Sequence, residues 1–412
     1  MEATWRGYSA DGPSPAQALR RGLAADVRAA LLAARERTLA LADDWQAALG
    51  RSWPGVPYAA ERNPPLWELG HLAWFQEYWI ARNRQRALGT RCDPAHARAP
   101  SLLPRADQWY DSSRVAHRTR WELALPDAAG TRDYLARTLE RTLALLSDLP
   151  PDAGDDALYF YRLVTLHELM HAEAFQYMAE GLGLAVRAPA VPDVDEAVEL
   201  AVPAQSFRLG PEQGGFAFDN ELQPQALEVD AFRIDAQPLS WARYLPFVEA
   251  GGYEDLAWWS EEGRRWLAAQ RVRFPLYLRW GPSGWEQAAG GRWQRLRLQQ
   301  AAQHLSAHEA EAWCRWAGRR LPTEPEWECA ARHQPGFLWG QAWEWTASVF
   351  APHPGFAPHP YRDYSAPWFG TRRVLRGACQ ATSAFLAHAC YRNFFEPHRR
   401  DVYAGLRSCA LP

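Results

Sequence analysis

A chain of 412 residues, 48% hydrophobic and 23% charged, has the composition of a globular protein long enough for two or three domains with cores of their own. A net charge of −3 excludes a global polyanion-binding surface, and all 45 basic residues are arginine, which excludes a lysine Schiff base, a lysine general base and a P-loop lysine. No apolar run approaches the roughly 18 residues a membrane span needs. The N-terminus has no basic stretch followed by an apolar one, and the cysteines at 92, 314, 329, 379, 390 and 409 form no C-x-x-C. Reduced thiols and a cytoplasmic location are therefore expected, with no nucleic-acid or membrane partner.

In chain order, Ser14-Pro15 reads as an N-cap followed by proline at the first helical position. Leu19, Leu23, Val27 and Leu31 recur every four residues and predict one helix to about Leu49. After a loop with Pro54 and Pro57, a second helix is expected from near Asn63-Pro64-Pro65 through LWELGHLAWFQEYWIARNRQ. Prolines 94, 100 and 104 mark a loop region from about Leu88 to Asp127. A third helix is predicted over about Thr131–Leu146, and a fourth over Asp155–Gly181, with no Gly or Pro from Asp155 to Glu180. Four amphipathic helices predict a four-helix bundle over residues 1–184.

Residues 185–202, AVRAPAVPDVDEAVELAV, read as a linker. The character then changes, and residues 203–412 predict one loop-rich α+β domain with short β-type runs such as Ala231–Ile234 and Arg373–Leu375. Ser240 caps a helix that Gly251 ends. Ser306 with Glu309, and Thr323 with Glu326, form capping boxes, and Gly318 closes the helix that follows the first. The fold class is α+β, in two domains.

The chemistry centres on Leu166–Gln176, LHELMHAEAFQ. His167 and His171 are four apart, which puts both imidazoles on one helix face a turn apart, where two neutral rings can bind one divalent metal. His71, on the second helix, is a credible third ligand from a facing helix. Three imidazoles leave the opposite coordination positions open, and Glu173 is placed to orient a ligand. The same string is a literal H-E-x-x-H, in which a zinc hydrolase would use Glu168 as base. Ala172–Gly181, AEAFQYMAEG, offers no further histidine, which disfavours that alternative. Two other stretches stand out. Tyr361-Arg362-Asp363-Tyr364 lies in a Pro-rich loop, where a tyrosine can donate a proton. Tyr391–Arg400, YRNFFEPHRR, suits an anionic or zwitterionic small molecule.

Four strings of the second half, HEAEAWCRWAGRRLPTEPEWECAAR (308–332), WEWTASVF (343–350), LRGACQAT (375–382) and YRNFF…R…YAGLR (391–407), resemble the formylglycine-generating-enzyme fold, a C-type-lectin-like variant. The first half resembles a DinB-like iron-binding bundle, and the pairing is similar to the ergothioneine-type sulfoxide synthases. That resemblance implies an Fe(II) enzyme that uses O2 as co-substrate to join a sulfur donor to C2 of the imidazole of hercynine, the trimethylated betaine of histidine. It carries the iron site onto His71, His167 and His171, the loop tyrosines onto Tyr361 as proton donor and Tyr364 as positioning residue, the family's Arg-Asn before the C-terminal strand onto Arg392 and Asn393, with Asn393 touching hercynine, and a further arginine onto Arg399. Aromatics at Tyr391, Phe394, Phe395 and Trp343 are expected around the quaternary ammonium, in a site between the two domains.

Two departures bear on the donor. Phe394-Phe395 stand where ergothioneine enzymes often carry Trp-Asp, whose carboxylate helps hold an amino-acid donor, and Met170 replaces a glutamine before the last ligand. NPPLWELGHLAWFQEYW, YDSSRVAHRTRW and HELMHAEAF look closer to the selenoneine synthase branch, which implies a selenosugar donor and a C–Se bond. Cysteine or γ-glutamylcysteine is the alternative.

Overall fold

The computed structural model describes residues 13–50, 53, 55–187, 190–194, 198–222 and 226–412. Pro54, and parts of the stretch predicted as linker, lie outside the described residues. The predicted first helix is two, α1 (Pro15–Arg21) and α2 (Ala24–Leu49). Ser14 caps α1 as expected, in a capping box with Gln17. The break falls at Gly22, where a Cβ would come within 2.4 Å of both the Ala18 carbonyl and the Asp26 carboxylate. Asp26 turns back to accept the Leu23 amide at 2.9 Å and restarts the helix. Leu23 consequently points outward and is 55% exposed, against the apolar spacing that includes it.

Helix α3 (Pro65–Trp79) opens on proline and stops earlier than predicted, because the chain turns at Ile80 and sends Arg82 to Asp107 at 2.7 Å. The loop region that follows holds one short α-helix, α4 (Ala106–Tyr110), and 3-10 turns at Arg86–Arg91 and His117–Trp121. Asp127 caps α5 (Ala128–Ser147), and α6 (Asp155–Gly181) runs uninterrupted as predicted. Helix α2 packs along α6, and α3 packs against both α5 and α6. Every residue of α3 except Tyr78 is buried, so its polar groups need partners inside the protein. Gln76 Oε1 and Glu168 both accept from Arg35 of α2, through bonds of 2.7 Å.

The second domain begins inside the stretch predicted as a linker. Strand β1 (Glu199–Val202) pairs antiparallel with β4 (Phe232–Asp235) after the hairpin β2 (Gln205–Arg208) and β3 (Ala226–Val229). Helices α7 (Trp241–Glu249) and α8 (Glu261–Gln270) precede a meander of β5 (Leu278–Gly281), β6 (Gly284–Ala289) and β7 (Arg292–Arg295). Both predicted capping boxes form, at the starts of α9 (Ala307–Trp316) and α10 (Glu324–His333), with β8 (Arg319–Arg320) between them. Strands β9 (Ala342–Val349), β10 (Arg373–Ala378), β11 (Asn393–Phe395), β12 (Ala404–Gly405) and β13 (Cys409–Ala410) complete two four-stranded sheets, ordered β1-β4-β13-β8 and β11-β10-β9-β12. The architecture is two-domain and α+β.

Buried ion pairs flank Trp327 in this half: Arg407 with Glu344, which also accepts the Trp327 indole N–H, and Arg376 with Glu324 and Glu328. The domains are joined by polar contacts between buried or half-buried side chains, including Arg20 with Glu221 at 2.7 Å and Tyr159 with His359 at 3.0 Å. Among the described residues no helix is long and apolar enough to cross a membrane, and the six cysteines are buried and unpaired.

Candidate active site

Helices α3 and α6 bring His71, His167 and His171 together, with one ring nitrogen from each lying within 4.8 Å of the others. The rings are 5.1 Å apart for His71 with either partner and 4.5 Å for His167 with His171. Two of them are fixed from behind. His71 Nδ1 donates to the Tyr110 carbonyl at 2.8 Å, and His171 Nδ1 donates to Glu68 at 2.6 Å. Each bond sets the tautomer and leaves Nε2 as the free lone pair, the arrangement metal-ligating histidines use. Gly70 makes the first contact possible, since a Cβ there would fall 2.2 Å from the Tyr110 ring. His167 is held instead by stacking on Phe75 at 3.6 Å, and His71 by stacking on Trp67 at 4.9 Å.

Burial, with the neighbouring His171, pulls His71 down to about 3, and burial pulls His167 well below the ordinary imidazole value. Both rings are therefore neutral near pH 7, as metal binding requires. Burial alone would raise the Glu68 carboxyl, but His171 and the Asn63 amide outweigh it and hold it at about 2. The donor set fits a divalent transition metal with open positions.

Beside His171 lies a cavity of about 180 Å³ between α6 and the second domain. Met170, Trp343, Tyr391, Asn393 and Phe395 line it, joined by His171, Glu173, Ala174, Tyr177 and Leu386. Asn393 and Phe395 share one face of β11, and Phe394 between them takes the other, as strand alternation demands. Phe394 stacks on Phe350 at 4.0 Å and does not line the cavity, a correction to its expected place around a substrate. Arg399 does not line it either. Its guanidinium is paired with Asp401 through two bonds of 2.6 Å and lies 5.2 Å over the Phe395 ring. Arg392 is a buried structural residue, bonded to Glu324 at 2.7 Å and to the Asn220 carbonyl at 2.6 Å.

Tyr361 packs edge-on to Phe75 at 4.9 Å, with its ring 6.3 Å from that of His167. Burial pushes its hydroxyl up, so the phenol stays protonated. Tyr364 donates to the Tyr391 hydroxyl at 3.2 Å, and Tyr391 points its own hydroxyl at the Met170 sulfur at 3.0 Å. Glu173 orients no histidine. It accepts the Trp343 indole N–H at 2.6 Å and the Thr382 hydroxyl at 2.7 Å, and burial pushes its carboxyl up against those two donors. Glu168, the base of the hydrolase alternative, is locked to Arg35 at 2.7 and 3.1 Å and is not available to a water on the metal. Glu68 escaped the sequence reading although its signal was local: it precedes His71 by three residues, which places both on one face of α3. Tyr177 and Leu386 carried no such signal.

A helical bundle that clusters three imidazoles, one of which lines a cavity walled by a loop-rich α+β domain, defines a two-domain protein with a candidate metal centre beside the domain interface. Residues 30–175 match the DinB superfamily, and residues 187–341 match the Sulfatase-modifying factor enzyme 1-like domain. The chain is 31% identical to the Hercynine oxygenase of Mycobacterium tuberculosis, over 92% of this chain and 96% of that one. It is 30% identical to the Hercynine oxygenase of Mycolicibacterium smegmatis over the same shares. A Formylglycine-generating enzyme of Streptomyces coelicolor is 26% identical and covers 49% of this chain and 83% of its own. The chain belongs to the hercynine oxygenase family.

Proposed function

We propose that this chain catalyses an ergothioneine-type reaction, the Fe(II)- and O2-dependent joining of a soft chalcogen donor to C2 of the hercynine imidazole. The observation that carries the reading is the cluster of His71, His167 and His171, with two rings fixed at Nδ1, beside an aromatic cavity between the domains. The name of the mycobacterial relatives supports hercynine as the acceptor. Those three histidines would hold the iron, which when bound supplies O2 activation and a docking point for a thiolate or selenolate. Glu68 and the Tyr110 carbonyl keep two ligand rings oriented. Tyr361, protonated and beside His167, would hold at its hydroxyl a proton available to the site, and Tyr364 positions the cavity wall through Tyr391. Asn393, on the cavity wall in β11, hydrogen-bonds the hercynine carboxylate.

A second, finer reading has the donor as a selenosugar. The observation favouring it is Phe395 on the cavity wall, at the position where related enzymes place the aspartate that holds an amino-acid donor. A buried ammonium without a carboxylate partner costs several kcal/mol, whereas a sugar brings neutral hydroxyls and apolar ring faces. Aerobic incubation with Fe(II), hercynine and equal amounts of a selenosugar, its thio analogue, cysteine and γ-glutamylcysteine, followed by mass spectrometry, tests both readings. No coupled product from any donor refutes the first. Faster consumption of an amino-acid donor than of the selenosugar refutes the second alone. Under the same competition, Phe395→Asp is expected to shift preference toward the amino-acid donors by about tenfold or more.

A further inference from the structure

The loop between β9 and β10 carries Tyr361 and Tyr364, yet it contains no strand and only two 3-10 turns, Arg362–Tyr364 and Ala366–Trp368. Tyr361 meets Phe75, Trp79 and His167 through ring edges. Ring edges alone do not fix a hydroxyl, so its place is set by the backbone that carries it. That backbone is anchored on both sides of the tyrosines by one side chain. Asp219 accepts the His359 amide with one oxygen at 3.2 Å and the Ser365 hydroxyl with the other. Pro358 and Pro360 flank His359 and have no N–H, so the His359 amide is the only backbone donor in that run of three. Ser365 is fully buried, and its oxygen also accepts from the Asn220 amide at 2.9 Å. Asp219 and Asn220 are buried too, on the 3-10 turn Asp219–Glu221 between β2 and β3. This turn is fastened to both domains, since Glu221 accepts from Arg20 of α1 and the Asn220 carbonyl accepts from Arg392. Just ahead of it, Phe218 stacks on the Tyr364 ring at 4.3 Å, and Phe216 stacks on Tyr159 of α6 at 5.2 Å. The clamp does not depend on charge. An ionised carboxylate accepts from both groups, and a protonated one accepts from the amide and donates to the Ser365 oxygen.

We propose that Asp219 is a positioning residue for the reaction: its clamp on His359 and Ser365 sets where the Tyr361 hydroxyl stands relative to the histidine cluster. This rests on the role given to Tyr361 in the preceding subsection and adds a residue that acts only through the loop. A displacement of about 1 Å costs on the order of a hundredfold in rate. A loosened loop therefore slows turnover, while the cavity wall on β9 and β11 keeps its hold on substrate.

The test uses the full-length protein and two readouts. Backbone hydrogen exchange is followed by mass spectrometry on the metal-free protein, in the peptide containing residues 359–365. Turnover is measured on the Fe(II)-loaded protein with hercynine and the donor it couples fastest. Asp219→Ala is expected to speed exchange in 359–365 by about tenfold or more, with the peptides of α3 and α6 unchanged. It is expected to lower kcat by about ten- to a hundredfold, with KM for hercynine within about threefold of wild type. In a Tyr361→Phe background the same change is expected to lower kcat by less than about threefold further, because the hydroxyl it positions is already gone. Unchanged exchange in Asp219→Ala overturns the clamp. A full further loss on the Tyr361→Phe background overturns the positioning role, since a merely structural defect harms both backgrounds alike. If Asp219→Ala does not fold, Ser365→Ala removes one hydroxyl from one end of the clamp. It is expected to show the same pattern at about three- to tenfold, and absence of that pattern overturns the proposal. A wild-type rate in Tyr361→Phe overturns the role of Tyr361 and this inference together. Unchanged turnover in Asp219→Ala beside a slowed Tyr361→Phe overturns this inference alone.

Discussion

The cavity has two walls built in opposite ways. On the bundle side, α3 and α6 are long helices whose histidines are backed by a carboxylate, a backbone carbonyl and stacked rings, all buried. On the other side the lining residues are Trp343 on β9, Leu386 and Tyr391 in the loop before β11, and Asn393 and Phe395 on the three-residue strand β11, while the loop between β9 and β10 brings Tyr361 to within 6.3 Å of the His167 ring. Helices hold ligand atoms to the tolerance a metal needs, and neighbouring turns supply the groups behind them. Loops and strand ends accept new side chains without disturbing the core, so the proposed selectivity for acceptor and donor falls there. Glu173 belongs to the bundle by sequence and to the opposite wall by contact, since its partners Trp343 and Thr382 are in the second domain.

The strongest way to break this comparison is at the histidines. Alanine at His71, His167 or His171 is expected to remove most bound iron and to lower turnover by about a thousandfold or more, by metal analysis and product assay. Circular dichroism should show the bundle still folded, because a metal on a core this large is not its main source of stability. Unfolding of the variants would mean that the two walls differ less than claimed. On the loop wall, Tyr361→Phe removes one hydroxyl. Iron content and hercynine affinity should stay at wild-type values while product formation slows by about a hundredfold. An unchanged rate with an unchanged product ratio removes Tyr361 from the chemistry.

Glu68→Gln sharpens the comparison further. Loss of the carboxylate behind His171 is expected to weaken iron binding by about ten- to a hundredfold, measured by chelator competition, with less effect on substrate affinity. The smallest effect is on the pH dependence of the metal-free protein. His71 is held at about 3 and His304, in the second domain, at about 4, both chiefly by burial. Neutral imidazoles of this kind take up protons on unfolding. Their contribution is full above about pH 6.5, and as pH falls each is expected to lose about 1.4 kcal/mol of stability per unit until its folded pKa is reached. Thermal melts from pH 7 to pH 5 check the sign, and a melting temperature that rises on acidification contradicts the buried neutral state.

Much of this molecule is legible in its residues because the relevant forces are local. The spacing of His167 and His171, the uninterrupted run of α6 and the capping boxes of α9 and α10 all follow from helix geometry and side chains three or four positions away. The pairing of Glu68 with His71 on one face of α3 belongs to the same class, although a lone glutamate three residues before a histidine does not announce its partner, which is His171 on another helix. The break at Gly22 is also local, but the recurrence of leucines every four residues runs straight through it and masks it.

What the tertiary structure alone decided concerns partners distant in the chain. The register of β11 against β10 turns Asn393 and Phe395 to the cavity and Phe394 away from it, and shifting that register by one residue would invert the choice. The arginines at 392 and 399 look equally free in sequence, yet Glu324 takes one and Asp401 the other, since a buried charge must find its counter-charge inside the fold. Glu173 turns from the histidines to Trp343, 170 positions along the chain, because the second domain closes over that face of α6. Helix periodicity is set by bonds between near neighbours, whereas a cavity is set by which surfaces meet, and that meeting depends on the packing of the whole chain.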